Sequence, residues 1–409
     1  MILSLFFLIH ACNANKASDY LISGDFDAIA LAGGGFLAFI PQLWLVKELS
    51  QNDVDDYLSE KIVSGASGGA WTAAFLQRCR DQLKQISNLE KFKAFLDDVN
   101  NNMKLLPSGD GFNVENSLFS KGCSNTIYPY IMSHTLTIKR EEGLTLGVVN
   151  VKPTSATSAI LVDSKASLWN QRNLINKCLT SKIDDKVLLG SWSSAFLNVV
   201  KNDNLSKKYV GNLIKGLPRV SLKRLTQYVI GKAHSYTCDN IPEKKIIMAD
   251  GGSLDNLALV SAIYAIQEKK VFVRKTRRDK PRVVSVVTTE ELVWILKYFG
   301  QENDDDDKEF QIGIFKESKG IVQKVKEREG KKELFVFEET VETFHGNRFG
   351  IKGGWMIDLI FVVTPDFICR NMGIQNMNWP HFDNLKECLN KLTETVKEWK
   401  QYSHKRWGL

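Results

Sequence analysis

The sequence predicts an α/β fold of three layers, α/β/α, around a mostly parallel central sheet with an inserted cap region. Short apolar runs are followed by a glycine-rich turn and then by a helix-length segment, and this unit occurs three times. Strands that alternate with helices in this way need a parallel sheet covered on both faces. The third observation is composition. The chain has 409 residues, 44% hydrophobic and 25% charged, which is ordinary globular usage and excludes disorder or a collagen-like repeat.

Taken in order, Phe26–Ala32 reads as a buried strand, and a helix from about Phe36 to Leu49 follows three glycines. Lys61–Ser64 ends a second strand, Gly65–Gly69 turns the chain, and Ala70–Gln85 is helical. The third unit is Lys245–Ala249, the turn Asp250-Gly251-Gly252, and a helix over Leu257–Glu268. Further strands are expected at Leu144–Val151, Ala159–Val162, Arg282–Thr288 and Met356–Val363, with an amphipathic helix over Lys386–Gln401. Residues 92–242 are richer in Asn, Ser and Lys and are expected to form a cap inserted into one catalytic domain spanning 22–409. Ala28–Val46 is uncharged, but its glycines, Pro41 and Gln42 fit a strand, turn and buried helix better than a membrane span.

Residues 1–14 predict a signal peptide. An apolar run, Ile2–Ile9, precedes small residues around Ala11 and Ala14 and is too short to cross a bilayer. A buried N-terminal segment is the alternative, since no positive charge precedes the run. The expected location is therefore secreted or within an endomembrane lumen, with a cytoplasmic, membrane-associated protein as the alternative. Removing Cys12 with the signal leaves six cysteines, an even number that suits an oxidising compartment. Asn204-Leu205-Ser206 is a glycosylation sequon. The net charge of +7 is too diffuse to predict nucleic-acid binding. The basic stretch from Lys269 to Arg282 reads as surface, with anionic lipid as a possible contact.

The chemistry is expected at the carboxyl edge of the sheet, where strand-to-helix turns collect. Gly65-Ala66-Ser67-Gly68-Gly69 is a G-x-S-x-G turn between a strand and a helix. Glycines there let the turn be sharp enough to expose the Ser67 hydroxyl, and the helix dipole favours negative charge beside it. A capping serine on a common turn is the plainer alternative. Gly33-Gly34-Gly35 offers unshielded backbone N–H groups to an anion. Gly33, Gly35 and Ala38 with Asp53 also fit a dinucleotide fingerprint. Asp250 ends the third strand and supplies a carboxylate base.

Leu31–Ala38, Ser64–Trp71 and Asp250–Leu257 together resemble the patatin-like and cytosolic phospholipase A-type serine acyl hydrolases. The resemblance implies a Ser–Asp dyad, with Ser67 as nucleophile and Asp250 as base. It implies oxyanion donors at Gly33, Gly34 and Gly35, with Gly68 as a further candidate. The implied substrate is a phospholipid, lysophospholipid or other acyl ester, met at a membrane surface, and no metal or cofactor is required. Leu37 stands where the family usually places a phosphate-handling arginine, so phosphate recognition must come from elsewhere or the ester is neutral. Two rival readings remain beside the dinucleotide fingerprint. One is a Ser–Asp–His triad drawing on His345, His381 or His404; the other is a non-catalytic lipid-binding relative.

Overall fold

The computed structural model describes residues 16–34, 36–51, 53–104, 131–140, 143–151, 157–162, 235–237, 245–269, 279–299, 312–328, 334–347, 349–364 and 382–407. The predicted signal segment, the sequon, Gly35, His381 and most of the predicted cap lie outside them.

The described residues open with helix α1 (16–23), then strand β1 (Ala28–Leu31) and helix α2 (Phe36–Leu49). Helix α3 (Val54–Tyr57), strand β2 (Ile62–Gly65) and helices α4 (Gly68–Arg78), α5 (Arg80–Gln85) and α6 (Leu89–Lys104) follow. Strands β3 (Ile131–Arg140), β4 (Gly143–Val151), β5 (Thr157–Val162), β6 (Ser235–Thr237) and β7 (Lys245–Asp250) come next. The last part holds helices α7 (Gly252–Asp255) and α8 (Leu259–Lys269), strand β8 (Arg282–Thr288) and a 3-10 helix (Thr289–Tyr298). Helix α9 (Lys319–Arg328), strands β9 (Phe335–Glu342) and β10 (Met356–Thr364), and helix α10 (Phe382–Trp407) close the chain.

Five strands, in the order β3-β2-β1-β8-β10, run parallel and form the centre of a ten-stranded sheet. Strands β4 and β5 extend one side and β9 closes the other, all antiparallel. Every residue of β1, β2 and β8 is buried, as a parallel strand covered on both faces requires. Alternate residues face opposite layers. Ile29, Leu31, Val63, Val284 and Val286 pack with α2, α4, α6 and α10; Ala28, Ala30, Ile62, Val283 and Val287 pack with α8, the 3-10 helix and α9.

Helix α2 is buried all round because it lies between the sheet and α10, which explains its continuous apolar sequence. Its Trp44 donates its indole N–H to the Thr393 hydroxyl at 2.9 Å, tying the two helices. Helix α10 buries Cys388, Leu389, Leu392 and Val396, the apolar stripe of an amphipathic helix. Among the described residues, no helix is long and apolar enough to cross a membrane.

Several elements differ from expectation. The segment predicted as one helix over Ala70–Gln85 is broken at Cys79, which is buried and disulfide-bonded. Cys388 is buried and forms no disulfide. Arg282 is not part of a basic surface. It is 5% exposed, lies over the Tyr20 ring, and donates to the Asp25 carboxylate at 2.6 Å. Strand β7 also departs from the simple pattern of repeated parallel units. It runs antiparallel to β3, which projects beyond the end of β2 and offers it an edge; Leu136 pairs with Asp250 there. Asp250 thus reaches the carboxyl edge of the central sheet from the opposite direction.

Candidate active site

Ser67 sits between β2 and α4 with φ 50° and ψ −122°, a left-handed conformation costing about 1–3 kcal/mol at a non-glycine residue. The surroundings enforce it. Helix α4 begins at the next residue, and Gly69 lies so close to β1 that a Cβ there would come within 2.0 Å of the Leu31 carbonyl oxygen. A Cβ at Gly65 would likewise meet Gly69 O at 2.5 Å. Small residues let strand, turn and helix collapse together, and the serine is left at the tip, partly exposed.

The Ser67 hydroxyl donates to Asp250 Oδ2 at 2.9 Å, across 183 residues of sequence. Asp250 Oδ1 accepts the Gly252 N–H at 2.7 Å. Burial is the dominant influence on this carboxyl: it raises the pKa to about 7, against the opposing effects of the Gly252 N–H and the Ser67 hydroxyl. Such a group is half-ionised near neutral pH, where a general base is most effective.

Gly33 approaches Ser67 and Asn256 closely. A Cβ on it would lie 3.0 Å from Ser67 Cβ and 2.3 Å from Asn256 Oδ1. Its N–H donates to the Asn256 carbonyl at 2.8 Å, so Gly33 is not a free oxyanion donor; its contribution is the absence of a side chain. Gly34 is exposed with φ 125°, a conformation that favours glycine. Gly68 opens α4, where the first N–H groups have no intrahelical acceptor. The structure therefore brings Ser67, Asp250, Gly33, Gly34 and Gly68 to one edge of the sheet.

Other sequence candidates fall elsewhere. Asp53 caps α3, accepting the Asp56 N–H at 3.1 Å, and precedes β2, at the sheet edge away from the glycine turn. That placement removes the dinucleotide reading. His345 lies exposed in the β9–β10 connection, again at the opposite edge.

Two buried polar side chains brace the site without having been singled out for it. Gln42 donates to the Ala32 carbonyl at 2.9 Å and accepts from the Thr72 hydroxyl at 3.0 Å, linking the start of the glycine turn to α4. Its signal in sequence is a lone amide after Pro41 within an apolar helix. Asp255, fully buried in the acid turn, is the second.

No family model matches the chain, and no curated protein matches it. Among solved structures it is similar to human GIVD cytosolic phospholipase A2, with a TM-score of 0.37 and 10% identity. That match covers 96% of this chain, which spans 63% of the length of the other.

Proposed function

We propose that the protein is a serine acyl hydrolase that cleaves phospholipid, lysophospholipid or a related acyl ester through a Ser67–Asp250 dyad. The observation that carries this reading is the direct 2.9 Å hydrogen bond from a strained, glycine-framed serine to a buried carboxylate whose pKa is raised to about 7. The direct contact also favours a dyad over a triad, since a histidine would have to stand between the two groups.

In this mechanism Ser67 Oγ attacks the ester carbonyl carbon and its proton passes to Asp250 Oδ2. The Gly34 and Gly68 N–H groups, with the dipole of α4, stabilise the tetrahedral oxyanion; each such donor is worth about 2.7–4 kcal/mol of barrier. Collapse expels the alcohol, which takes the proton back from Asp250. Water, deprotonated by the same carboxylate, then releases the fatty acid and restores Ser67. Leu37 in place of an arginine favours esters recognised through their acyl chain. Membrane-surface encounter and a secreted or lumenal location belong to the same proposal, and the Cys79 disulfide supports an oxidising compartment.

Incubating the purified protein with a serine-reactive fluorophosphonate and mapping the adduct tests the reading, with a mixed lipid extract revealing the product by mass. The adduct is expected on Ser67, and Ser67→Ala or Asp250→Asn should each lower ester hydrolysis by at least about 1000-fold. Undiminished hydrolysis by either variant overturns the dyad. A wild-type protein that takes no label indicates the binding-protein alternative.

A further inference from the structure

Residues 251–258 touch each turn of the site, and they are held by a buried carboxylate that the hydrolytic steps do not use. Asp255 Oδ1 accepts the Tyr298 hydroxyl at 2.7 Å and the Val260 N–H at 3.2 Å. Asp255 Oδ2 accepts the Ser261 N–H at 3.2 Å and lies 3.3 Å from the Ser261 hydroxyl. That hydroxyl is 2.7 Å from the hydroxyl of Ser64, which is on β2, three residues before the nucleophile. The Tyr298 oxygen in turn accepts the Leu257 N–H at 2.9 Å.

The segment between these anchors is under tension. Ala258 has φ 54°, and its carbonyl accepts the Ser64 hydroxyl at 2.9 Å. A left-handed alanine persists only where neighbouring bonds over-determine it. Asn256, flanked by the two groups that Tyr298 joins, presents its carbonyl to Gly33 and its side-chain oxygen to the tight space between Gly33 and Gly252. The acid turn, the glycine turn and the nucleophile strand therefore share one buried network. Its bonds are strong because the surroundings exclude water, and losing one strands its partners.

We propose that the Asp255–Tyr298 pair is a positioning unit that holds Asp250 and Gly33 in register with Ser67. Neither residue touches the reacting atoms, and the inference rests on the acyl hydrolase reading. Tyr298→Phe removes one hydroxyl and disconnects both Asp255 and Leu257. Thr343→Val is the matched control. Thr343 is fully buried, its hydroxyl donates to Lys352 O at 2.8 Å and accepts the Trp355 N–H at 2.9 Å, and it lies at the opposite sheet edge.

The experiment measures hydrolysis of a soluble short-chain aryl ester and the rate of fluorophosphonate labelling, below the melting temperature of every variant. Tyr298→Phe is expected to lower kcat and the labelling rate by about 10- to 100-fold with KM within about threefold, the signature of misplaced groups rather than lost binding. Thr343→Val is expected to lose a similar amount of melting temperature and keep the wild-type rates. Wild-type rates in Tyr298→Phe, or equal losses in both variants, overturn the positioning role. Should Tyr298→Phe not fold, Ser261→Ala, which removes a hydroxyl beside the other Asp255 oxygen, is judged by the same criteria. A wild-type protein that takes no label at Ser67 overturns the hydrolase reading and this inference with it. Labelling of wild type and Tyr298→Phe at one rate overturns this inference alone.

Discussion

Asp250 is buried beside a hydroxyl and a backbone N–H, and burial outweighs both, raising its pKa from 3.8 to about 7. In the unfolded chain the carboxyl keeps its ordinary value. A raised folded pKa gives a contribution that is fully present below the unfolded value and is lost as pH rises through about 7. Ester hydrolysis has the opposite trend, because the base must be ionised, so the rate is expected to climb with pH through about 7. Asp250→Asn separates the two. Thermal melts should show this variant to be more stable than wild type at about pH 8, with the gap closing toward about pH 4. A gap that is unchanged or inverted across that range contradicts the burial account. Ser67 and Asp250 were both legible in sequence, because each follows an apolar run and is itself followed by two glycines. The engagement of Gly33 was not, since it depends on a carbonyl 223 positions away in the chain. Asp255 and Tyr298 also gave no signal; their contact spans 43 residues and follows no period.

At the scale of elements, the contact between α4 and β1 sets where the nucleophile points. Gly69 rests directly on the backbone of Leu31 and Ala32, with no flexible side chain between them to give way. Gly69→Ala should therefore force helix and strand apart, costing about 3 kcal/mol in denaturant unfolding and slowing hydrolysis as Ser67 moves. Wild-type stability in that variant would falsify the close-packing account. The short central strands were readable because burial on both faces leaves them predominantly apolar, as in Ala28–Leu31 and the valine pairs of Arg282–Thr288. Strands β3 and β9 were not anticipated. Their residues, Ile-Met-Ser-His-Thr in one and Phe-Glu-Glu-Thr-Val in the other, mix apolar and polar types: β3 stands where the parallel centre meets antiparallel neighbours, and β9 is a peripheral antiparallel strand. The direction of β7 was hidden for a related reason, because it depends on how far β3 overshoots its neighbour.

For the whole molecule, the three-layer architecture followed from the alternation of strand and helix, whereas the size and role of the inserted region rested on composition alone. The cysteines give a molecular-scale check on compartment. Peptide mapping without reduction should find Cys79 in a disulfide, and Cys388 alkylated only after denaturation. A freely alkylated Cys79 in the native protein would count against the oxidising-compartment proposal. The late arrival of β7 has a further consequence for biosynthesis. The serine turn is complete within the first 80 residues, whereas the carboxylate is made 183 residues after the nucleophile. Under the proposed mechanism, a half-made chain on the ribosome thus carries an alcohol without its base, and hydrolysis waits until those two distant positions have met.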